Sequence, residues 1–348
     1  MLEFDSGEYE SICIFAEKSD DRDGWICLEG PGGKEQQVHM NDDWYRLVQL
    51  ALPEKGTYRI RHKGIGLTQM YLSGGPDLME RGIRFLDPDS GNELGKWYDT
   101  PVREQYHFNP FMNWVNDPNG LCWFKGYYHL FYQSNPFGQE WNDMYWGHAV
   151  SRDLVHWTHM PYVLEPQPDL WRDKEHKGGA FSGSAQVMGE QMHLYLTRHH
   201  GPQEDGEKTR EWQTEAVCSD GIHVEKERPC ITERPEGASF DFRDPKVQQV
   251  EGKDYMVLGS SLDGVPSILL YVREDGGWSF KGPLLQEHER ALQRKEMMGG
   301  GLLKHGEAAG TKLFYQDSTE GHLEADFAAG SLNRLEVWTM ESIWNHKS

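Results

Sequence analysis

Two of the three aspartates that proline follows directly in this chain stand in segments that otherwise read as strand. Asp117 lies in NWVNDPNG (Asn113–Gly120) and Asp244 in FDFRDPKV (Phe240–Val247). Proline disfavours the helical region for the residue before it, so Asp117 is expected in an extended conformation. Asn119 and Gly120 are turn residues, and the next strand starts at once. A carboxylate is thereby placed at the end of a strand. The local sequence also allows a plain turn aspartate that bonds its own backbone. Asp244 has Arg243 beside it, and a neighbouring guanidinium lowers a carboxylate's pKa and keeps it ionised. The competing reading is a surface Arg–Asp pair.

The elements that must hold these residues read as strands almost throughout. Short runs rich in Tyr, Val, Ile, Leu, Phe and Trp alternate with Gly, Asp, Asn and Pro clusters. The best helical stretch is Leu284–Met298, which also fits a charged loop. A repeat organises the rest. A glycine turn followed by a similar strand begins at Gly126, Gly189, Gly252 and Gly310, at steps of about 60 residues. A second strand–turn–strand element recurs in the same phase from Ala149, Ala216, Leu269 and Ala328. One period holds the strand content of a propeller blade. The alternative is a β-sandwich with accidental similarity. Both Asp-Pro pairs fall just before a glycine-turn strand, at equivalent blade positions, so a shared channel is expected.

Residues 1–100 lack the repeat and read as a small accessory β domain, sandwich-like, with Asp87–Pro101 as the candidate linker. Residues 101–348 then form the β-propeller. About four blades are readable; a fifth blade and a trailing sandwich are not evident. An open ring exposes a strand edge and apolar blade faces. The expected remedies are a cover from the N-terminal domain or a partner subunit, closure with fewer blades, or a chain truncated or altered near its end.

Bulk properties exclude several classes. The 348 residues carry a net charge of −21, which repels phosphate backbones and anionic membranes. No nucleic-acid partner and no membrane partner are expected, and no run of about 18 apolar residues exists. The N-terminus is acidic and has no apolar signal core. Five widely spaced cysteines form neither a disulfide framework nor a CxxC metal pattern, which points to a reducing, cytoplasmic protein. The 13 Trp and 15 Tyr suit sugar rings, and equally a β-rich core. His156, His199 and His200 fit no metal-binding spacing and read as structural or sugar-contacting. No phosphate-cradling loop is present, and no metal or cofactor is expected.

Five segments, HFNPFMNWVNDPNG, YHLFYQSNP, WGHAVSRDLVHW, GAFSGSA and FRDPKV, occur in that order between about Tyr106 and Val247. The set resembles the motifs of glycoside hydrolase family 32, which holds invertases, sucrose-6-phosphate hydrolases, levanases, inulinases and related fructosyltransferases. The resemblance implies an all-β fold, a five-bladed β-propeller, here preceded by the small β-sandwich-like domain. It implies retaining cleavage of terminal β-fructofuranosyl linkages in sucrose, sucrose 6-phosphate or short fructans. A fructosyltransferase and a catalytically impaired fructoside-binding relative stay open. An arabinan- or xylan-active propeller hydrolase shares the architecture, but NDPNG and FSGSA argue against it. The partner is then a small carbohydrate, and a homo-oligomer is left open.

The resemblance also distributes roles. Asp117 matches the nucleophile and Asp244 the carboxylate that holds fructose hydroxyls, with Arg243 orienting it. Asn116, Gln133, Trp141, Phe181 and Ser182 match sugar contacts; Trp141 and Phe181 would wall the pocket. Ketoside cleavage passes through an oxocarbenium-like state, with an attacking carboxylate and a protonated carboxyl about 5–5.5 Å apart in retaining enzymes. The family carries that acid as Glu in a Glu-Cys-Pro motif, which is absent here. Glu296, in RKEMMGGGLL, stands near the matching position, with Met297 and Met298 in place of Cys-Pro. Glu287, Glu289 and Glu307 are the other acids between Gly282 and Gly310. The bland reading of Glu296 is a solvated residue on a charged loop. The geometric expectation is that Asp117 and Asp244 grip one fructosyl unit.

Overall fold

The computed structural model describes residues 1–20, 22–94, 103, 107–175, 177–202 and 209–286, and the backbone of four strands between 301 and 339. Glu296, and the part of the candidate linker beyond Leu94, lie outside the described residues. The chain divides into two compact units, Met1–Ala180 and Phe181–Ser348.

The first unit opens with eight strands: β1 (Leu2–Asp5), β2 (Ser11–Lys18), β3 (Gly24–Glu29), β4 (Glu35–Met40), β5 (Tyr45–Ala51), β6 (Thr57–Lys63), β7 (Ile65–Ser73) and β8 (Arg84–Leu86). They form two four-stranded antiparallel sheets, ordered β1-β6-β3-β4 and β5-β2-β7-β8. Strand β2 is buried on both faces. Ile12 and Ile14 point one way; Cys13 and Phe15 point the other. A third sheet follows, built from β9 (Trp114–Phe124), β10 (Tyr127–Asn135), β11 (Tyr145–Ser151) and β12 (Trp157–Leu164). Phe15 is fully buried and meets three rings of this region edge-on: Tyr162 at 4.9 Å, Tyr145 at 5.4 Å and Phe137 at 5.6 Å. These contacts dock the N-terminal sheets onto the third sheet through one aromatic core.

The third sheet also buries a histidine pair. His129 Nδ1 lies 3.0 Å from His148 Nε2, and His129 Nε2 lies 3.2 Å from Phe124 O. Burial pushes His129 down to about 4, so its ring is neutral near pH 7. This accounts for a histidine inside the WGHAVS strand.

The second unit repeats the four-stranded plan. One sheet holds β13 (Gly178–Met188), β14 (Gln191–His200), β15 (Arg210–Cys218) and β16 (Lys226–Ile231). The next holds β17 (Ala238–Val250), β18 (Lys253–Leu262), β19 (Val265–Glu274) and β20 (Gly277–Gln286). The last holds β21 (Gly301–Lys304), β22 (Gly310–Gln316), β23 (Gly321–Ala328) and β24 (Ser331–Thr339). In each blade sheet the strands are hydrogen-bonded in chain order. The glycine-turn strands of the repeat are the second strands, β10, β14, β18 and β22. The phase follows from tight hairpins: Lys125-Gly126 and Glu251-Gly252 both have φ above zero, as the turn matching strand twist requires.

Two expectations are corrected. Leu284–Gln286 end strand β20 and are not helical; the rest of that helical candidate, 287–298, lies outside the described residues. Asn119 and Gly120 do not make a turn either. The chain runs through them as continuous strand β9. Two bulges absorb the irregular residues instead, and the second covers Gly120 at φ +52.

Replacing Phe15 by alanine removes the ring that the other three enclose. The Met1–Ala180 unit should lose about 3–5 kcal/mol, read as a shift of its denaturant-unfolding midpoint. A shift under about 1 kcal/mol would place the ring outside the core.

Candidate active site

In the first unit, strand β9 spends three residues where β10 spends two, once between the Pro118–Tyr132 and Val115–Ser134 pairs. The extra residue falls at Asn116–Asp117. Gln133 is the β10 residue opposite it, so the register brings Asn116, Asp117 and Gln133 side by side. A bulge turns side chains out of the regular alternation and lets a strand carry proline, which has no N–H to give the ladder. Asn116 is exposed and Asp117 half-buried. Gln133 is buried and donates Nε2–H to Ala180 O at 2.8 Å.

Trp141 stands 45% exposed on the loop after β10. Three contacts fix that loop. Asn113 Nδ2 donates to Pro136 O at 2.7 Å, Asn135 Nδ2 donates to Glu140 O at 2.8 Å, and Trp114 N donates to Gly138 O at 2.9 Å. Asn113 of NWVNDPNG and Asn135 of YQSNP are therefore loop braces. Asp143 follows Trp141 closely and is buried, accepting the Gly178 N–H at 3.0 Å on Oδ1. Its Oδ2 meets no donor among the described residues. Burial pushes this carboxyl up to about 7, with Asp173 and Asp169 adding to the rise and the Gly178 N–H and Lys177 opposing it.

In the second unit, Phe181 and Ser182 lie on β13, and Phe181 stacks on His199 with ring centroids 4.1 Å apart. The FSGSA motif acquires a structural explanation. A Cβ at Gly183 would sit 1.8 Å from Tyr195 O, so only glycine allows β13 and β14 to approach this closely. Ser184 Oγ donates to Pro245 O at 2.8 Å and accepts Val247 N–H at 3.0 Å. It clasps β17 just beyond Asp244.

Asp244 itself has φ +63, in the left-handed region that non-glycine residues rarely adopt. It sits in a bulge of β17, between the Arg243–Gly259 and Lys246–Val257 pairs. Asp117 and Asp244 therefore occupy bulges of the first strand of their respective sheets. Strain of this kind persists only where surroundings over-determine it. Here they do. Thr197 Oγ1 accepts the Asp244 N–H at 3.0 Å and donates to Gln213 Oε1 at 2.7 Å. Gln213 Nε2 donates to Phe242 O at 2.7 Å. Glu211 Oε2 accepts Phe242 N–H at 2.5 Å, and its Oε1 accepts Arg243 Nε–H at 2.8 Å. Arg243 also pairs with Asp241.

Thr197, Glu211 and Gln213 did not emerge from the sequence as site residues. The available signal was polarity at every second position. His199, Thr197 and Tyr195 of β14 face Glu211, Gln213 and Glu215 of β15 in register, on strands that are otherwise core. Among the described residues no cluster of His, Cys, Asp or Glu is arranged to hold a metal ion.

Comparison with known proteins bears on this geometry. The family model "Glycosyl hydrolases family 32 N-terminal domain" matches residues 107–323. A sucrose-6-phosphate hydrolase of Zymomonas mobilis is 39% identical over 192 residues, covering 53% of this chain and 36% of the relative. An acid β-fructofuranosidase of Vigna radiata is 32% identical over 259 residues, covering 71% of this chain and 36% of the relative. The chain thus spans about a third of the length of these curated relatives. A solved glycoside hydrolase family 32 structure from Bifidobacterium adolescentis matches with a TM-score of 0.84 and 28% identity, over 97% of this chain and 67% of that one. The architecture is all-β of the propeller type, preceded by the sandwich-like sheets.

Asp143 gives a pH test of the loop that carries Trp141. Its pKa is raised on folding, so its stabilising contribution is present at acid pH and is lost as pH rises through about 7. Between pH 5 and pH 8 the native protein should lose about 2 kcal/mol that Asp143→Asn does not lose. Parallel unfolding curves at both pH values check this; identical pH slopes for the two proteins would refute it.

Proposed function

The chain belongs to glycoside hydrolase family 32, and from that premise we propose that it is a retaining β-fructofuranosidase. It cleaves terminal β-fructofuranosyl linkages of sucrose, sucrose 6-phosphate or short fructans by double displacement. Relatives bearing the names sucrose-6-phosphate hydrolase and acid β-fructofuranosidase support this substrate class.

The observation that carries the reading is the matched placement of Asp117 and Asp244. Each is followed by proline, and each is set in a bulge of the first strand of a blade sheet. Asp117 attacks the anomeric carbon of the fructosyl unit, forming a glycosyl-enzyme ester and releasing the aglycone oxygen. Glu296 protonates that oxygen and then activates the water that hydrolyses the ester. Asp244, oriented with Arg243, holds fructosyl hydroxyls and favours the oxocarbenium-like state through hydrogen bonds that strengthen as charge develops. Trp141 and Phe181 wall the sugar; Asn116, Gln133 and Ser182 bond its hydroxyls. The reaction needs no metal or cofactor.

In this reading residues 101–348 form the catalytic propeller and residues 1–100 an accessory β domain. The five widely spaced cysteines favour a reducing, cytoplasmic setting. The charge of −21 suits a neutral or small carbohydrate partner better than nucleic acid. No helix among the described residues is long and apolar enough to cross a membrane. The second reading is a fructoside-binding relative without turnover, and Met297-Met298 in place of Cys-Pro favours it.

The deciding experiment is incubation with sucrose, sucrose 6-phosphate, inulin and levan, with chromatographic detection of fructose. Fructose release is expected. Asp117→Asn should lower kcat on the order of 10⁴-fold, and Asp244→Asn about 10²–10³-fold. Glu296→Gln should lose activity on sucrose and regain it on a fructoside with a good leaving group. Unchanged hydrolysis by Glu296→Gln would give the acid role to another residue; no release from any substrate would leave the binding protein.

A further inference from the structure

One buried carboxylate touches both halves of the sugar-facing apparatus in the second unit. Glu211 has a fully buried side chain. Its Oε1 accepts from Arg243 Nε at 2.8 Å and from His199 Nδ1 at 2.7 Å, while Oε2 accepts the Phe242 N–H. His199 in turn is the ring on which Phe181 lies flat, the two planes 4° apart. The aromatic wall at Phe181 and the Arg243–Asp244 segment are therefore tied to opposite sides of a single group.

The chemistry of that group is restrictive. Three donors converge on it, so it must accept three times and donate to none. A carboxylate meets this condition. An amide of equal size turns an NH2 toward at least one of the three donors. A carboxylate buried without such partners would be strongly destabilised, so its burial implies that all three stay in place. Moving Glu211 shifts the guanidinium of Arg243, the backbone leading into Asp244 and the ring supporting Phe181 together.

We propose that Glu211 is a positioning residue for fructosyl recognition, fixing through one carboxylate the Arg243–Asp244 segment and, through His199, the Phe181 ring. The proposal rests on the fructosidase reading for the identity of the sugar. It differs from a purely structural role because Glu215 provides a comparison on the same strand face. Glu215 is equally buried and takes hydrogen bonds from His193 at 2.8 Å, Tyr195 at 2.9 Å and Arg228 at 2.8 Å, none of which is a proposed sugar contact.

The test compares Glu211→Gln, Glu211→Asp and Glu215→Gln with the native protein. Melting midpoint, kcat and KM for sucrose, and the dissociation constant for free fructose are measured for each. Glu211→Asp keeps the charge and draws the carboxylate back by one methylene, so it serves if the glutamine variant fails to fold. The expected result is a fall in kcat/KM of about 10–100-fold for the Glu211 variants, together with weaker fructose binding. Glu215→Gln should keep native kinetics whatever its melting midpoint. The proposal is overturned if the Glu211 variants match native kinetics, or if Glu215→Gln loses as much as they do. A native protein that binds fructose without releasing it from any fructoside, and whose Glu211 variants bind it more weakly, removes the hydrolase reading and leaves the positioning role. A native protein that neither binds nor releases fructose removes both.

Discussion

The arrangement around Asp244 depends on an inverted face. The hairpin of β14 and β15 turns a ladder of polar side chains toward strand β17, where a propeller blade would ordinarily present Val, Leu or Ile. His199 bonds Glu211 and Thr197 bonds Gln213 across the hairpin, and both acceptors then reach the backbone of Phe242. Buried polar groups are costly unless each is satisfied. A ladder satisfied by a neighbouring strand's backbone therefore specifies where that backbone must lie. The bulge at Asp244 interrupts the regular β17–β18 pairing, and these side chains supply hydrogen bonds to Phe242 and Asp244 beside it. The left-handed φ of Asp244 is tolerable because its N–H and the flanking Phe242 and Pro245 carbonyls are held from three strands, by Thr197, Gln213 and Ser184.

The first unit reaches a similar end by a different route. Asp117 does not share the left-handed backbone of Asp244. Its bulge is flanked by a loop that the side chains of Asn113 and Asn135 pin to carbonyls, and by Gln133, which is held on Ala180. Below this lies a dense aromatic core centred on Phe15. A rigid base of this kind is what a nucleophile requires, since small misplacements of a reacting group cost large factors in rate. Both aspartates thus stand on strands, not on free loops, and both use a bulge to leave the regular alternation.

Much of this plan was legible in the residues. The glycine-turn repeat predicted the second strand of every blade sheet, because a tight hairpin between twisted strands needs positive φ and glycine supplies it cheaply. The five ordered motifs led to the family and to the candidate sugar contacts. The Asn-Gly pair after Asp117 misled, because the same residues that make a turn also relieve a bulge, and only the partner strand's register distinguishes the two. Leu284–Gln286 misled for a related reason. Charged sequence with apolar residues at helical spacing carries no sign of the β19 partner that makes it a strand.

Composition, spacing and local stereochemistry determined the all-β class, the period of the blades, the two Asp-Pro sites and the identity of the family, since each is a property of neighbouring residues or of their order. Tertiary structure alone decided that Asp244 is held in a strained backbone, that Ser184 of FSGSA is a clasp on β17, and that Glu211 gathers Phe242, Arg243 and His199. Those outcomes depend on which strand lies beside which. A buried carboxylate is read from its partners, and its partners here come from strands far apart along the chain.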